Sequence, residues 1–141
     1  MLAGFTGCAS KTQNTAAPVK EKVTAQSILD KLKVKEGSYM TDSVVITAEN
    51  DPNKFLGRPN QYTEKITWKD SRSKDSQVDC SIELFGNKED ATARKTYLDS
   101  IIKSMPMLTQ YITQKDSVLL RIDGVLTPAQ SKEYMDIFNN N

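Results

Sequence analysis

Val78-Asp79-Cys80-Ser81-Ile82-Glu83-Leu84-Phe85-Gly86-Asn87 is the stretch from which the architecture of this chain is read. Val78, Cys80, Ile82 and Leu84 fall on one face by strict alternation, so the run is a strand with an apolar side. Gly86-Asn87 ends it. Asn87 is a helix cap, and Glu89 and Asp90 follow in a first turn, where the positive end of the helix dipole favours acids. Ala91, Leu98, Ile101, Ile102 and Met105 then recur at helical spacing, Lys103 sits near the negative end, and Pro106 stops the helix.

Moving upstream, residues 62–69 alternate again. Tyr62, Ile66 and Trp68 are expected on one face and Thr63, Lys65, Thr67 and Lys69 on the other. Residues 43–49 are β-branched and short, which predicts another strand. Residues 25–35 predict a helix: Thr24 caps it, Ile28, Leu29 and Leu32 form the apolar stripe, and Gly37 closes it. Downstream, 110–114 and 118–123 read as a hairpin turning at Lys115-Asp116, with Val118, Leu120 and Ile122 toward the core. Thr127-Pro128-Ala129-Gln130 is a capping box with proline at the first helical position, opening a last helix that buries Tyr134, Ile137 and Phe138. The order is α-β-β-β-α-β-β-α. Strands joined without crossover helices favour antiparallel pairing. The expectation is an α+β fold: two layers, a mostly antiparallel sheet of about five strands, and helices on one face.

The front of the chain carries a different signal. Phe5-Thr6-Gly7-Cys8 fits a lipoprotein cleavage site, in which small residues precede a cysteine that becomes lipidated on its sulfur. Phe5 stands where an aliphatic residue is usual. Residues 1–7 contain no Lys or Arg and are shorter than the apolar core of a signal peptide, about 7–15 residues. They are therefore expected to be the remnant of a longer leader. Residues 8–23 read as the lipidated cysteine and a flexible tether, rich in Ser, Thr, Asn, Ala and Lys and lacking any apolar period. Residues 24–141 remain as a single domain, long enough for one core. Lys11, Lys20 and Lys22 against Glu21 make the tether mildly basic, which suits an anionic membrane surface.

Composition narrows the chemistry. The 141 residues include 19 Lys and Arg against 18 Asp and Glu, a net charge of +1. Both signs are scattered, which argues against the basic stripe of a nucleic-acid partner. No run approaches the roughly 20 apolar residues of a membrane span. The chain contains no histidine. Histidine-based general bases, Ser-His and Cys-His nucleophiles and His-ligated zinc are thereby excluded. No cofactor and no metal site is expected. Of the two cysteines, Cys8 is assigned to lipid, leaving Cys80 unpaired as a small buried apolar side chain.

The connection 50–61, with its flanking Glu49 and Tyr62, is long for a link between strands, and long loops are disproportionately functional. Asp51, Asn53, Arg58 and Tyr62 stand beside apolar Phe55 and Leu56, a mixture suited to a peptide carboxylate or a sugar, with Arg58 supplying a planar donor fork. A structural reading explains the same residues. Asp51-Pro52-Asn53 makes a turn, Gly57 permits a positive φ, Pro59 stiffens the return, and Phe55 and Leu56 pin the loop to the core. Asp51 and Asn53 lack the further ligands of a calcium loop. Trp68 is expected in the core. Arg121, between Leu120 and Ile122, points away from it and reads as part of a surface charge ladder, paired with a strand neighbour such as Glu83 or with the carboxylates beside Lys65. Residues 71–76 read as a solvated loop.

Thr47-Ala48-Glu49-Asn50-Asp51-Pro52-Asn53-Lys54, continuing through Leu56-Gly57-Arg58-Pro59-Asn60-Gln61-Tyr62-Thr63-Glu64-Lys65, resembles a motif in small lipoproteins of Gram-positive bacteria. Ile82-Glu83-Leu84-Phe85 with Glu89-Asp90-Ala91, and Tyr111-Ile112 with Val118-Leu119-Leu120-Arg121, extend the resemblance over most of the domain. It implies a secreted protein tethered to the outer face of the cytoplasmic membrane, and it points to no particular activity. The functional expectation is a non-enzymatic binding or interaction module for a protein, peptide or cell-wall ligand. Two alternatives stand beside it. One is an envelope hydrolase using facing carboxylates, Asp51 with Glu49 or Glu64. The other is an accessory subunit of a membrane complex.

Overall fold

Five strands, Met40–Val45 (β1), Tyr62–Asp70 (β2), Cys80–Phe85 (β3), Gln110–Lys115 (β4) and Val118–Asp123 (β5), form one antiparallel sheet in the order β1-β2-β3-β5-β4. The computed structural model describes residues 17–18, 21–74 and 78–140. Cys8 and most of the tether lie outside the described residues. Three helices complete the domain: Ala25–Glu36 (α1), Lys88–Ser104 (α2) and Pro128–Asn139 (α3). The α+β class and the element order are those expected from the sequence. No helix among the described residues is long and apolar enough to cross a membrane.

The helix ends follow the capping chemistry. Thr24 Oγ1 accepts from Ser27 N–H at 3.0 Å, and Ser27 Oγ accepts in return from Thr24 N–H at 3.1 Å. Thr127 and Gln130 make the same reciprocal pair on α3. Asn87 Oδ1 accepts from Asp90 N–H at 2.8 Å. Gly37 closes α1 by a different route from the expected one. Its φ is −57°, an ordinary helical value, and it is needed because a Cβ there would lie 2.4 Å from the Lys33 carbonyl oxygen.

The helices do not share one side of the sheet, which corrects the two-layer expectation. α1 and α3 cover the face that carries Ile66, Trp68, Cys80, Ile82, Leu84, Val118, Leu120 and Ile122, and with Leu29, Leu32, Tyr134 and Phe138 these build the main core. α2 lies on the opposite face, where Ala91 and Leu98 pack on Tyr62, Phe85 and Leu119. The reason is legible in α2 itself. Only Ala91 and Leu98 of this helix are buried, a stripe too narrow to compete for the main core.

Two strand assignments also move. β1 begins at Met40 rather than 43 and ends at Val45, so Thr47-Ala48-Glu49 belongs to the loop. Val44 and Val45 are exposed at the far end of β1, an edge strand that sends only Met40 into the core. In β2 the pairing shifts between Tyr62 and Glu64, where one extra residue is accommodated. Tyr62 is thereby turned onto the α2 face, away from Ile66 and Trp68. Cys80 is a buried free thiol whose Sγ accepts from Asp123 N–H at 3.4 Å, and burial pushes its pKa up to about 12.

Candidate functional site

The loop at residues 46–61 is organised around one carboxylate. Asp51 is completely buried. Its Oδ1 accepts from Asn53 N–H at 3.0 Å, and its Oδ2 accepts from the N–H groups of Phe55 and Leu56, both at 2.9 Å. The Tyr62 hydroxyl lies 3.0 and 2.9 Å from the two carboxylate oxygens. Burial works to raise the pKa of Asp51, but these donors outweigh it and hold the carboxyl below its ordinary value. The same burial and the hydrogen bond to Asp51 push Tyr62 up to about 12. Gly57 adopts φ +75°, as the turn required.

This divides the four residues singled out in the loop. Asp51 and Tyr62 are turned inward and their polar atoms are engaged in holding the loop. Asn53 and Arg58 are exposed. Asn53 borders the groove described below, whereas Arg58 makes no ion pair among the described residues and does not line that groove. Of the carboxylates considered for hydrolysis, Asp51 and Glu64 are engaged in separate contacts. Glu64 Oε2 accepts from Ala25 N–H at 2.8 Å, capping the first turn of α1, while Asp51 is enclosed in the loop.

The structure brings together a second group on the α2 face. Glu83, at the centre of the sheet, is fully buried and surrounded by three cations. Lys65 Nζ lies 3.1 Å from Glu83 Oε1, and Arg121 Nη1 2.6 Å from the same oxygen. Arg94 Nε of α2 approaches Oε2 at 3.3 Å. Register explains the assembly. Lys65 is directly opposite Glu83 on β2, and Arg121 is two residues along β5 from Leu119, the residue opposite Glu83. Arg94 shares a helical stripe with Ala91 and Leu98, so the stripe that packs on the sheet delivers its guanidinium to the carboxylate.

The electrostatics are lopsided. Burial alone would raise the pKa of Glu83, but Arg121, Lys65 and Arg94 together hold it at about 2. Lys65 is lowered, first by burial, against the pull of Glu83 and with a further push from Arg121 and Arg94. The Lys65, Arg94 and Arg121 side chains are only 7%, 9% and 13% exposed. Aromatic rings supply part of their solvation. Lys65 Nζ sits 4.9 Å from the Tyr62 ring centre, and the Arg94 guanidinium 5.8 Å from those of Phe55 and Tyr97.

These cations open onto a groove of about 510 Å³ between α2, the sheet and the loop. Thr67 and Ser81, paired across β2 and β3, line its sheet side with small side chains. Leu98, Ile101, Ile102 and Leu108 give it an apolar side, and Pro52, Asn53 and Phe55 bring the loop to its border. A volume of this size is in the range that receives small organic ligands.

Arg121 and its partner Glu83 were legible as strand neighbours. Lys65 and Arg94 were not singled out, although their positions on the alternation of β2 and on the 91-94-98 stripe carry the signal. The loop 71–76 is also less open than expected. Arg72 bonds Asp70 at 2.8 Å, Glu36 at 3.3 Å and Glu133 at 2.7 Å, and stacks 3.9 Å from the Tyr39 ring centre. Residues 75–77 lie outside the described residues. Among the described residues no His, Cys, Asp and Glu cluster is arranged to hold a metal ion.

No protein-family model, curated protein or solved structure matches this chain.

Proposed function

We propose that this chain is a lipoprotein anchored through Cys8 to the outer face of the cytoplasmic membrane, whose domain is a non-enzymatic binding module. The anchor rests on Phe5-Thr6-Gly7-Cys8, on the polar tether that follows, and on the resemblance to Gram-positive lipoproteins. Two acyl chains bury enough methylenes, at about 0.8 kcal/mol each, to hold a protein stably on a bilayer. The observation that carries the binding role is the groove beneath α2, bordered by the loop and lined by largely buried cations. Binding is favoured over catalysis because Glu83 is held ionised by three cations and Asp51 is engaged within its loop. Neither carboxylate is poised to exchange a proton near neutral pH.

Labelling with a fatty-acid analogue tests the anchor. Wild type incorporates label and Cys8→Ser does not; equal labelling of the two removes the anchor. A pull-down from envelope extract tests the module, using the Cys8→Ser chain with and without Arg94→Gln. Loss of the retained partner on Arg94→Gln supports the groove as the binding surface, whereas equal recovery places binding elsewhere.

A further inference from the structure

Glu83 does not balance the charges gathered around it. Its two oxygens face two guanidinium groups and one ammonium, which together carry far more donors than one carboxylate can accept. Arg121 Nε is satisfied by Gln110 Oε1 at 2.9 Å, a neutral acceptor that offsets no charge. With three basic groups against one carboxylate, the cluster is net positive. Asp79 also lines the groove, but its side chain lies in an exposed position and it makes no ion pair with the cluster. Largely buried cations that share one carboxylate are incompletely compensated, and an anion in the groove would add the missing acceptors.

The shape of the site specifies more than charge. Guanidinium groups bind carboxylate and phosphate oxygens through paired, charge-assisted hydrogen bonds. Beside them, Leu98, Ile101, Ile102 and Leu108 offer contact to hydrocarbon. Ser81 and Thr67 leave the sheet side low, so the space above the cations stays open.

We propose that the groove binds an organic oxyanion, with its carboxylate or phosphate head on Arg94, Arg121 and Lys65 and its apolar body along Leu98, Ile101 and Leu108. The assignment rests on the binding-module reading above and names the ligand class of that same site.

Calorimetric titration of the purified full chain tests it, using octanoate and octyl phosphate as anionic probes, below their micelle concentrations, and octanol as the neutral probe. At least one anion binds, with octanol weaker by about tenfold or more. Binding of only one anion identifies the head group and supports the proposal. Gln110→Glu supplies a carboxylate to Arg121 from within the protein without changing side-chain size, so it weakens the anions by about tenfold while preserving the fold by circular dichroism. Arg94→Gln weakens them comparably, and Arg58→Gln leaves them unchanged. Equal affinity for octanol, no binding of either anion, or an unaltered anion affinity in Gln110→Glu overturns the assignment. If an envelope partner is still captured in an Arg94-dependent way, the module stands and only the ligand class falls.

Discussion

The two faces of the sheet are stabilised by different physics. The face under α1 and α3 is a dry core built from Ile66, Trp68, Ile82, Leu120, Ile122, Tyr134 and Phe138. Its stability comes mainly from apolar area removed from water, with one ionic group at its edge, where buried Asp70 accepts from the Tyr134 hydroxyl and pairs with Arg72. The face under α2 has a small apolar patch and, beside it, a buried ionic cluster. That cluster depends on Glu83 remaining ionised, because desolvation opposes what attraction provides. One sheet thus separates two roles. The dry face specifies the fold, and the charged face carries an ionic cluster whose stability depends on pH.

The largest test is in the dry core. Trp68→Ala is expected to cost about 4 kcal/mol by urea unfolding; a loss below about 1 kcal/mol would break the claim that this face dominates stability. Next comes the loop that borders the other face. Asp51→Ala leaves the Tyr62 hydroxyl and three backbone N–H groups without their acceptor and is expected to cost about 3 kcal/mol. Tyr62→Phe, which removes a single donor, is expected to cost about 1 kcal/mol.

The charged face should then reveal itself through acid. Glu83 has a folded pKa of about 2 against an ordinary 4.5, so the unfolded chain takes up the proton first as pH falls. Its stabilising contribution is complete above about pH 4.5 and is lost on approach to pH 2, a change of about 2 kcal/mol between pH 5 and 2.5. Thermal melts across this range should show that slope in wild type and a shallower one in Glu83→Gln. Equal slopes would show that the cluster contributes nothing to acid stability. The smallest effect is expected outside both faces. Arg58→Ala removes an exposed side chain without an ion-pair partner among the described residues and should shift stability by less than about 0.5 kcal/mol.

The dry face was largely legible in the sequence, because Cys80, Ile82 and Leu84, or Val118, Leu120 and Ile122, announce their shared side by alternation. Helix ends were equally plain, since Thr24, Asn87 and Thr127 bring their own acceptors. The charged face was harder to see. Lys65, Glu83 and Arg121 occupy the positions that solvent-facing residues take in a half-covered sheet, and only the placement of α2 buries them. That placement depends on tertiary competition between helices, which local periodicity does not record. Tyr62 was misplaced for a related reason. Alternation assumes uninterrupted pairing, and the bulge at its neighbour breaks that assumption. Asp51 was recognised as unusual, but its role required knowing that the loop folds back on it.

The irregularity between Tyr62 and Glu64 acts as a change of parity within a single strand. From Ile66 onward, even-numbered residues of β2 belong to the side of α1; at Tyr62 an even-numbered residue belongs to the side of α2. The surplus residue is thus a coupling joint: it lets the tyrosine hydroxyl meet Asp51 while Lys65 still meets Glu83. Any grafting of this loop onto another sheet must transplant the joint with it, since a splice made one residue short could satisfy one of those two meetings and would forfeit the other.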